Sequence, residues 1–120
     1  LHTVLDDATY HLVSDDHFAM MKSTAVLVNA SRGPIVDPKA LYHALRDGLI
    51  AAAALDVTEP EPIPLDDPLL TLDNCVIVPH LASASVRTRA EMSRISAQNL
   101  VNGLVGSKLI TCVNPEVYKS

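Results

Sequence analysis

Glycine is scarce in this sequence: four in 120 residues, at positions 33, 48, 103 and 106, with no G-x-G-x-x-G run among them. A glycine-rich turn that cradles phosphate at the start of a helix is therefore not encoded here. Basic residues form no block, and nine Lys and Arg stand against fourteen Asp and Glu, for a formal net charge of −5. That balance argues against nucleic acid as a partner. The longest uncharged apolar stretch, Gly48 to Leu55, is far shorter than a bilayer span, so no membrane partner is expected. The two cysteines, Cys75 and Cys112, lack metal-ligand spacing and read as buried thiols of a reducing compartment rather than a disulfide. There is no H-E-x-x-H or C-x-x-C, so no catalytic metal is expected; there is no G-x-S-x-G, so a hydrolase elbow is unsupported. No signal-peptide pattern is seen, and the expected location is cytoplasmic. The chain opens on Leu1, in what reads as the middle of an element, and is expected to be a fragment.

What is present is a globular composition, 48% hydrophobic, long enough for one small domain with a real core. Strand and helix patterns alternate, which predicts an α/β fold with a parallel sheet and right-handed crossovers. Val26, Leu27 and Val28 form a short apolar run that suits a parallel strand covered on both faces. Ile50 to Val57 and Asn74 to Pro79 read as the next strands, and Leu1 to Leu5 as a strand or strand end. Asp37 can cap a helix that Pro38 opens, Leu41, Ala44 and Leu45 keep its apolar spacing, and Gly48 ends it. Ser14 is expected to cap a short helix whose apolar side is Phe18, Met20 and Met21. Thr58 to Asp67 is rich in proline and acid and reads as a loop, followed by a helical turn at Pro68 to Leu70. From about Ser85 a helix is expected, with Val86, Ala90, Ile95 and Leu100 near one face and Gly106 as its stop. Leu109 to Ser120 reads as an extended tail.

In an open α/β sheet, ligands bind just beyond the carboxyl ends of the strands. Ser31, Arg32 and Gly33 follow the first apolar run, Asp56 ends the second, and His80 follows the third. A guanidinium can grip a carboxylate with two parallel bonds, which makes Arg32 the first candidate for a ligand contact; its bland alternative is a surface loop arginine. Asp56, taken alone, reads as a loop-capping aspartate. Glu61 lies in E-P-E-P, where flanking prolines restrict the backbone, and Glu59 beside it reads as an acidic solvent residue. An imidazole as a residue type titrates near neutrality, so His80 suits general acid–base work; its alternative is a buried structural histidine. His2, His11, His17 and His43 are assigned to surface or packing roles.

Three stretches, V-N-A-S-R-G at 28–33, A-L-D-V-T-E-P-E-P at 54–62 and V-P-H-L-A-S-A-S at 78–85, resemble in order and spacing the signatures of the D-isomer-specific 2-hydroxyacid dehydrogenases. The connecting text, including A-L-Y-H-A-L-R-D-G and D-P-L-L-T-L-D-N-C-V-I-V-P-H, is most similar to the glyoxylate/hydroxypyruvate reductase branch. The resemblance implies the second half of a Rossmann-type NAD(P)-binding domain at residues 1–82. It also implies a C-terminal helix and tail at 83–120 that contribute to the substrate domain. The activity implied is NAD(P)-dependent interconversion of a small 2-keto acid and its D-2-hydroxy acid, in a homodimer.

By that resemblance Arg32 grips the substrate carboxylate, His80 is the general acid in reduction, and Glu61 is its carboxylate partner. Asp56 would hold the nicotinamide carboxamide. Ala30, Ser31, Arg32, His80, Leu81, Ala82 and Ser83 would make further cofactor contacts. The family often has glycine where Ala82 stands, and a Thr-Pro pair where Asp6 and Asp7 stand. The competing reading is a non-catalytic α/β interaction or corepressor-type module of the same fold. Such a module has no need of Arg32, Glu61 and His80 together, which favours the enzyme. Lacking the glycine-rich turn, the 120-residue chain alone is expected to bind dinucleotide poorly. Isothermal titration with NADH checks this, and micromolar affinity would contradict it.

Overall fold

The structure, a computed structural model, describes residues 1–118. The chain divides into two compact units, Leu1–Ala82 and Ser83–Ser120. In the first unit three short strands, β1 (Val26–Asn29), β2 (Ala52–Leu55) and β3 (Cys75–Ile77), form a parallel sheet in the order β1-β2-β3. Leu27 pairs with Ala53 and Ala53 with Cys75, so all three carboxyl ends emerge at one edge. Two helices join in, α1 (Asp15–Met20) and α2 (Pro38–Arg46).

α2 forms for local reasons. The Asp37 carboxylate accepts from the backbone N–H groups of Lys39 and Ala40, and Pro38 occupies the first turn. Ala40, Leu41, Ala44 and Leu45 are buried on one side, and Gly48 leaves the helix at φ +70°. That side packs with Leu27, Ala53 and Leu55 of the sheet and with Phe18 of α1 into one core. The small side chain of Ala53 lets β2 lie close to the helix.

Several expectations meet a different structure. Within the first unit the sheet is covered on one face only: Leu27 and Asn29 are buried, but Val26 is 60% and Val28 52% exposed, because no described element of that unit packs on that side. β2 and β3 are shorter than the apolar runs that suggested them, since the outer residues continue the ladder only as single bonds (Val78 N–H to Leu55 O, Asp56 N–H to Asn29 O). Leu1–Leu5 forms no strand, although the Leu1 nitrogen donates to the Val28 carbonyl. Ser14 stands at the α1 cap without a side-chain cap bond; its hydroxyl lies 3.4 Å from His17 Nδ1 instead. Phe18 is buried but Met20 is exposed, because a six-residue helix turns only one large side chain inward.

The second unit holds α3 (Val86–Leu104), capped by the Ser85 hydroxyl on the Thr88 N–H. Its apolar positions are not buried: Val86 and Leu100 are exposed. Asn99 ties the following chain back, accepting from Ile110 and Thr111 N–H. The expected extended tail instead turns into a 3-10 segment at Pro115–Tyr118; Lys119 and Ser120, also in that expectation, lie outside the described residues. Cys75 and Cys112 are free and half-buried rather than fully buried. Desolvation pushes the Cys75 thiol pKa up. No helix among the described residues is long and apolar enough to cross a membrane.

Gly33 marks the tightest backbone approach: a Cβ there would lie 1.9 Å from the Thr58 carbonyl oxygen. Gly33→Ala is expected to destabilise the protein by about 1–3 kcal/mol. Chemical denaturation measures that loss, and an unchanged midpoint would contradict the close approach.

Candidate active site

At the end of β1 the backbone turns under the control of Asn29, a buried side chain that must find partners. Its Oδ1 accepts from the Ser31 N–H at 3.1 Å and the Ser31 hydroxyl at 2.8 Å, while its Nδ2 donates to the Arg32 carbonyl at 2.8 Å. The turn holds Ser31 inside and presents Arg32 to solvent. The guanidinium donates to the Ser31 carbonyl at 2.7 Å. Arg32 lines a cleft of about 520 Å³ with Ala30, Ser31 and residues His2 to Leu5. Asn29 was not singled out in the sequence. A polar residue ending a buried run, two before a serine, is the signal that could have found it.

At the ends of β2 and β3 the chain is knotted together by Asp56. This buried carboxylate accepts from the backbone N–H of Leu81 through Oδ1 and of Ala82 through Oδ2, the latter at 3.0 Å. The His80 N–H in turn donates to the Asp56 carbonyl at 3.0 Å. Between these bonds His80 takes φ +54°, the left-handed region that side-chain-bearing residues rarely enter. That conformation turns the imidazole out of the sheet edge. Its Nδ1 meets Glu61 Oε1 at 2.7 Å, with the two side chains 47% and 42% exposed. The carboxylate takes Nδ1, so Nε2 is the nitrogen left for a further partner.

Glu59 is not the solvent residue that the sequence suggested, nor is His11 a simple packing histidine. His11 Nε2 donates to Glu59 Oε2 at 2.6 Å, and its Nδ1 lies 3.7 Å from Asp37 Oδ2. The Tyr10 hydroxyl donates to Glu59 Oε1 at 3.2 Å, which pushes the Tyr10 phenol pKa up. His11 and Glu59 lie 48 residues apart in the chain, beyond the reach of any local pattern.

The structure therefore places Arg32, Asp56, Glu61 and His80 at one edge of a parallel sheet, just past its carboxyl ends. It brings Asp56, Glu61 and the 80–82 turn into direct contact. Arg32 bonds within its own turn and opens on a different cleft from the one of about 500 Å³ that Asp56, Glu61 and His80 line. Ser83 opens the second unit and is exposed. Between the strand ends lies a shallow cleft of about 130 Å³, floored by Val28, Ala54, Val76 and Val78 and edged by Ala30 and Asp56. An apolar floor with a carboxylate at its rim suits a flat heteroaromatic ring carrying a polar substituent; each Asp56 oxygen can accept again. Among the described residues no cluster of ligating side chains could hold a metal.

The parallel sheet with its helices is an α/β domain of the Rossmann type, with a histidine–carboxylate pair at its edge. The family described as D-isomer specific 2-hydroxyacid dehydrogenase, NAD binding domain, matches residues 1–82, and the chain belongs to that family. Glyoxylate/hydroxypyruvate reductase B of Yersinia pestis (strain Pestoides F) is 51% identical over 113 residues, covering 94% of this chain and 35% of that protein. A crystal structure of a Thermus thermophilus protein superposes with a TM-score of 0.90 at 42% identity, covering 94% of this chain and 36% of that one. The NADPH-dependent glyoxylate/hydroxypyruvate reductase of Sinorhizobium meliloti, solved with NADP and malonate, matches at a TM-score of 0.81 and 37% identity, covering 90% and 34%. The chain thus spans about a third of the length of the curated relatives it matches.

Asp56→Ala leaves the Leu81 and Ala82 N–H groups without their acceptor. Loss of those bonds should cost about 1–3 kcal/mol of stability and speed amide exchange at both positions. Exchange rates equal to those of the parent protein would contradict the assignment.

Proposed function

We propose that this chain carries the substrate-gripping and proton-donating groups of an NAD(P)-dependent oxidoreductase that interconverts a 2-keto acid and its D-2-hydroxy acid. Glyoxylate and hydroxypyruvate are the substrates suggested by the names of its relatives. The observation that carries the reading is the His80–Glu61 pair at 2.7 Å, across β2 from the turn that presents Arg32.

The residues present fit the nicotinamide end of a dinucleotide. Val28, Ala54, Val76 and Val78 offer the apolar floor, and Ala30 and Asp56 stand at its rim; the contacts of Ser31 and of residues 80–83 are those the family resemblance implies. The pyrophosphate has no glycine-rich cradle in this sequence. When bound, the dinucleotide supplies the hydride that reaches the keto carbon. Arg32 grips the substrate carboxylate in a fork of two bonds and turns the keto oxygen toward His80. His80 Nε2–H gives its proton to that oxygen as negative charge grows there, so the C=O becomes CH–OH. Glu61, acceptor for Nδ1–H, fixes the orientation of the ring and leaves Nε2 to face the substrate. Hydroxy-acid oxidation runs the same steps backwards, with neutral His80 as base. A cytoplasmic homodimer, as the family resemblance implies, is the setting this reading proposes.

The protein that carries this chain is expected to oxidise NADH or NADPH with glyoxylate or hydroxypyruvate. His80→Gln should lower kcat by about 10²–10⁴-fold. Arg32→Ala should raise KM for the keto acid and lower kcat as well. Rates unchanged by both substitutions would rule out these roles and favour a binding module.

A further inference from the structure

The loop from Thr58 to Pro62 carries two carboxylates that serve two different imidazoles. Glu61 meets His80 Nδ1 at 2.7 Å, and Glu59 meets His11 Nε2 at 2.6 Å. The two pairs differ in setting. Glu61 and His80 are nearly half exposed, whereas the His11 and Glu59 side chains are 29% and 25% exposed. An ion pair as open as the first is screened by water and loses side-chain entropy on forming, so it contributes little to holding a loop in place. The second pair is reinforced. Tyr10 donates to the other Glu59 oxygen and stacks its ring on the His11 imidazole, with centroids 4.0 Å apart and planes 16° from parallel.

His11 is itself held in an uncommon backbone state, φ +49°. Its N–H donates to the Pro34 carbonyl at 2.7 Å, two residues beyond Arg32. Asp37, whose Oδ2 lies near His11 Nδ1, caps α2 with its other oxygen. The base of the Glu59 loop is pressed against Gly33, where a Cβ would meet the Thr58 carbonyl. One cluster therefore touches both the turn that presents Arg32 and the loop that presents Glu61.

We infer that Tyr10 and His11 are positioning residues: they clamp Glu59, and the clamped loop delivers Glu61 to His80 Nδ1 while the Arg32 turn is held beside it. The kinetic part of this inference rests on the oxidoreductase reading; the structural part does not. A general acid whose partner is misplaced by an ångström loses rate without losing its fold.

The test uses the protein that carries this chain and three variants. Glu59→Ala removes the acceptor of both Tyr10 and His11. His11→Asn keeps a residue tolerated in the left-handed region but too short to reach Glu59. Glu59→Gln keeps an acceptor oxygen and is the rescue. Keto-acid reduction should lose about tenfold or more in kcat for the first two, with dinucleotide KM within about twofold of the parent, and should recover in Glu59→Gln. The downfield Nδ1–H proton resonance of His80 should vanish in Glu59→Ala and His11→Asn and persist in Glu59→Gln. Either quantity unchanged in Glu59→Ala overturns the clamp, however far the melting temperature falls. If His11→Asn does not fold, Glu59→Ala decides alone. If the parent protein reduces no keto acid yet the resonance depends on Glu59, the clamp stands and the oxidoreductase reading fails.

Discussion

The carboxylate of Asp56 joins the end of β2 to the turn after β3 through the N–H groups of Leu81 and Ala82. A buried carboxylate needs such donors, and two backbone N–H groups need such an acceptor. Each half of this exchange explains the other. Between them His80 is held in a left-handed backbone state that neither its own chemistry nor its neighbours in sequence would choose. The direction of the imidazole follows from that one joint.

The parallel sheet provides the larger frame. Because β1, β2 and β3 run the same way and pair in register, every residue that follows a strand arrives at the same edge. Charge-bearing groups can stand there because the ladder has ended and solvent begins, while the core face stays apolar. The frame leaves some freedom. Asn29 removes part of it by binding both Ser31 and Arg32, and Gly33 removes more by admitting the Thr58 backbone. Arg32 and Glu61 thus sit on segments packed back to back, although each points into its own cleft.

Much of the fold was legible from local pattern. α2 announces both ends, with Asp37-Pro38 at one and Gly48 at the other, and its apolar spacing matches the face it buries. The three strands could be placed because each is a short apolar run closed by a polar residue. Their lengths could not, since an apolar run does not say where the ladder stops. The coverage of the sheet is not legible for a related reason: Val26 and Val28 look like core whether or not anything lies over them, and the described elements of the first unit pack on one side only. Met20 repeats the pattern, an apolar side chain on a short helix with nothing over it in its unit. At the site, the polar residues after each run drew attention to Arg32, Asp56 and His80. Nothing in the local pattern marks Asn29 or Tyr10, His11 reads as a surface or packing histidine, and Glu59 reads as a solvent residue.

The sequence by itself determined which residues could begin, fill and end each element, because capping, apolar spacing and proline act over a few neighbouring positions. It also determined, through its likeness in three separate stretches, the family to which the chain belongs. Only the tertiary structure decided which carboxylate meets which imidazole. Glu59 and Glu61 are two residues apart and chemically the same, yet one turns to His11 and the other to His80. The physical reason is that a hydrogen bond is chosen by distance and angle in space, and a loop held by Gly33 on one side and by Tyr10 and His11 on the other fixes both.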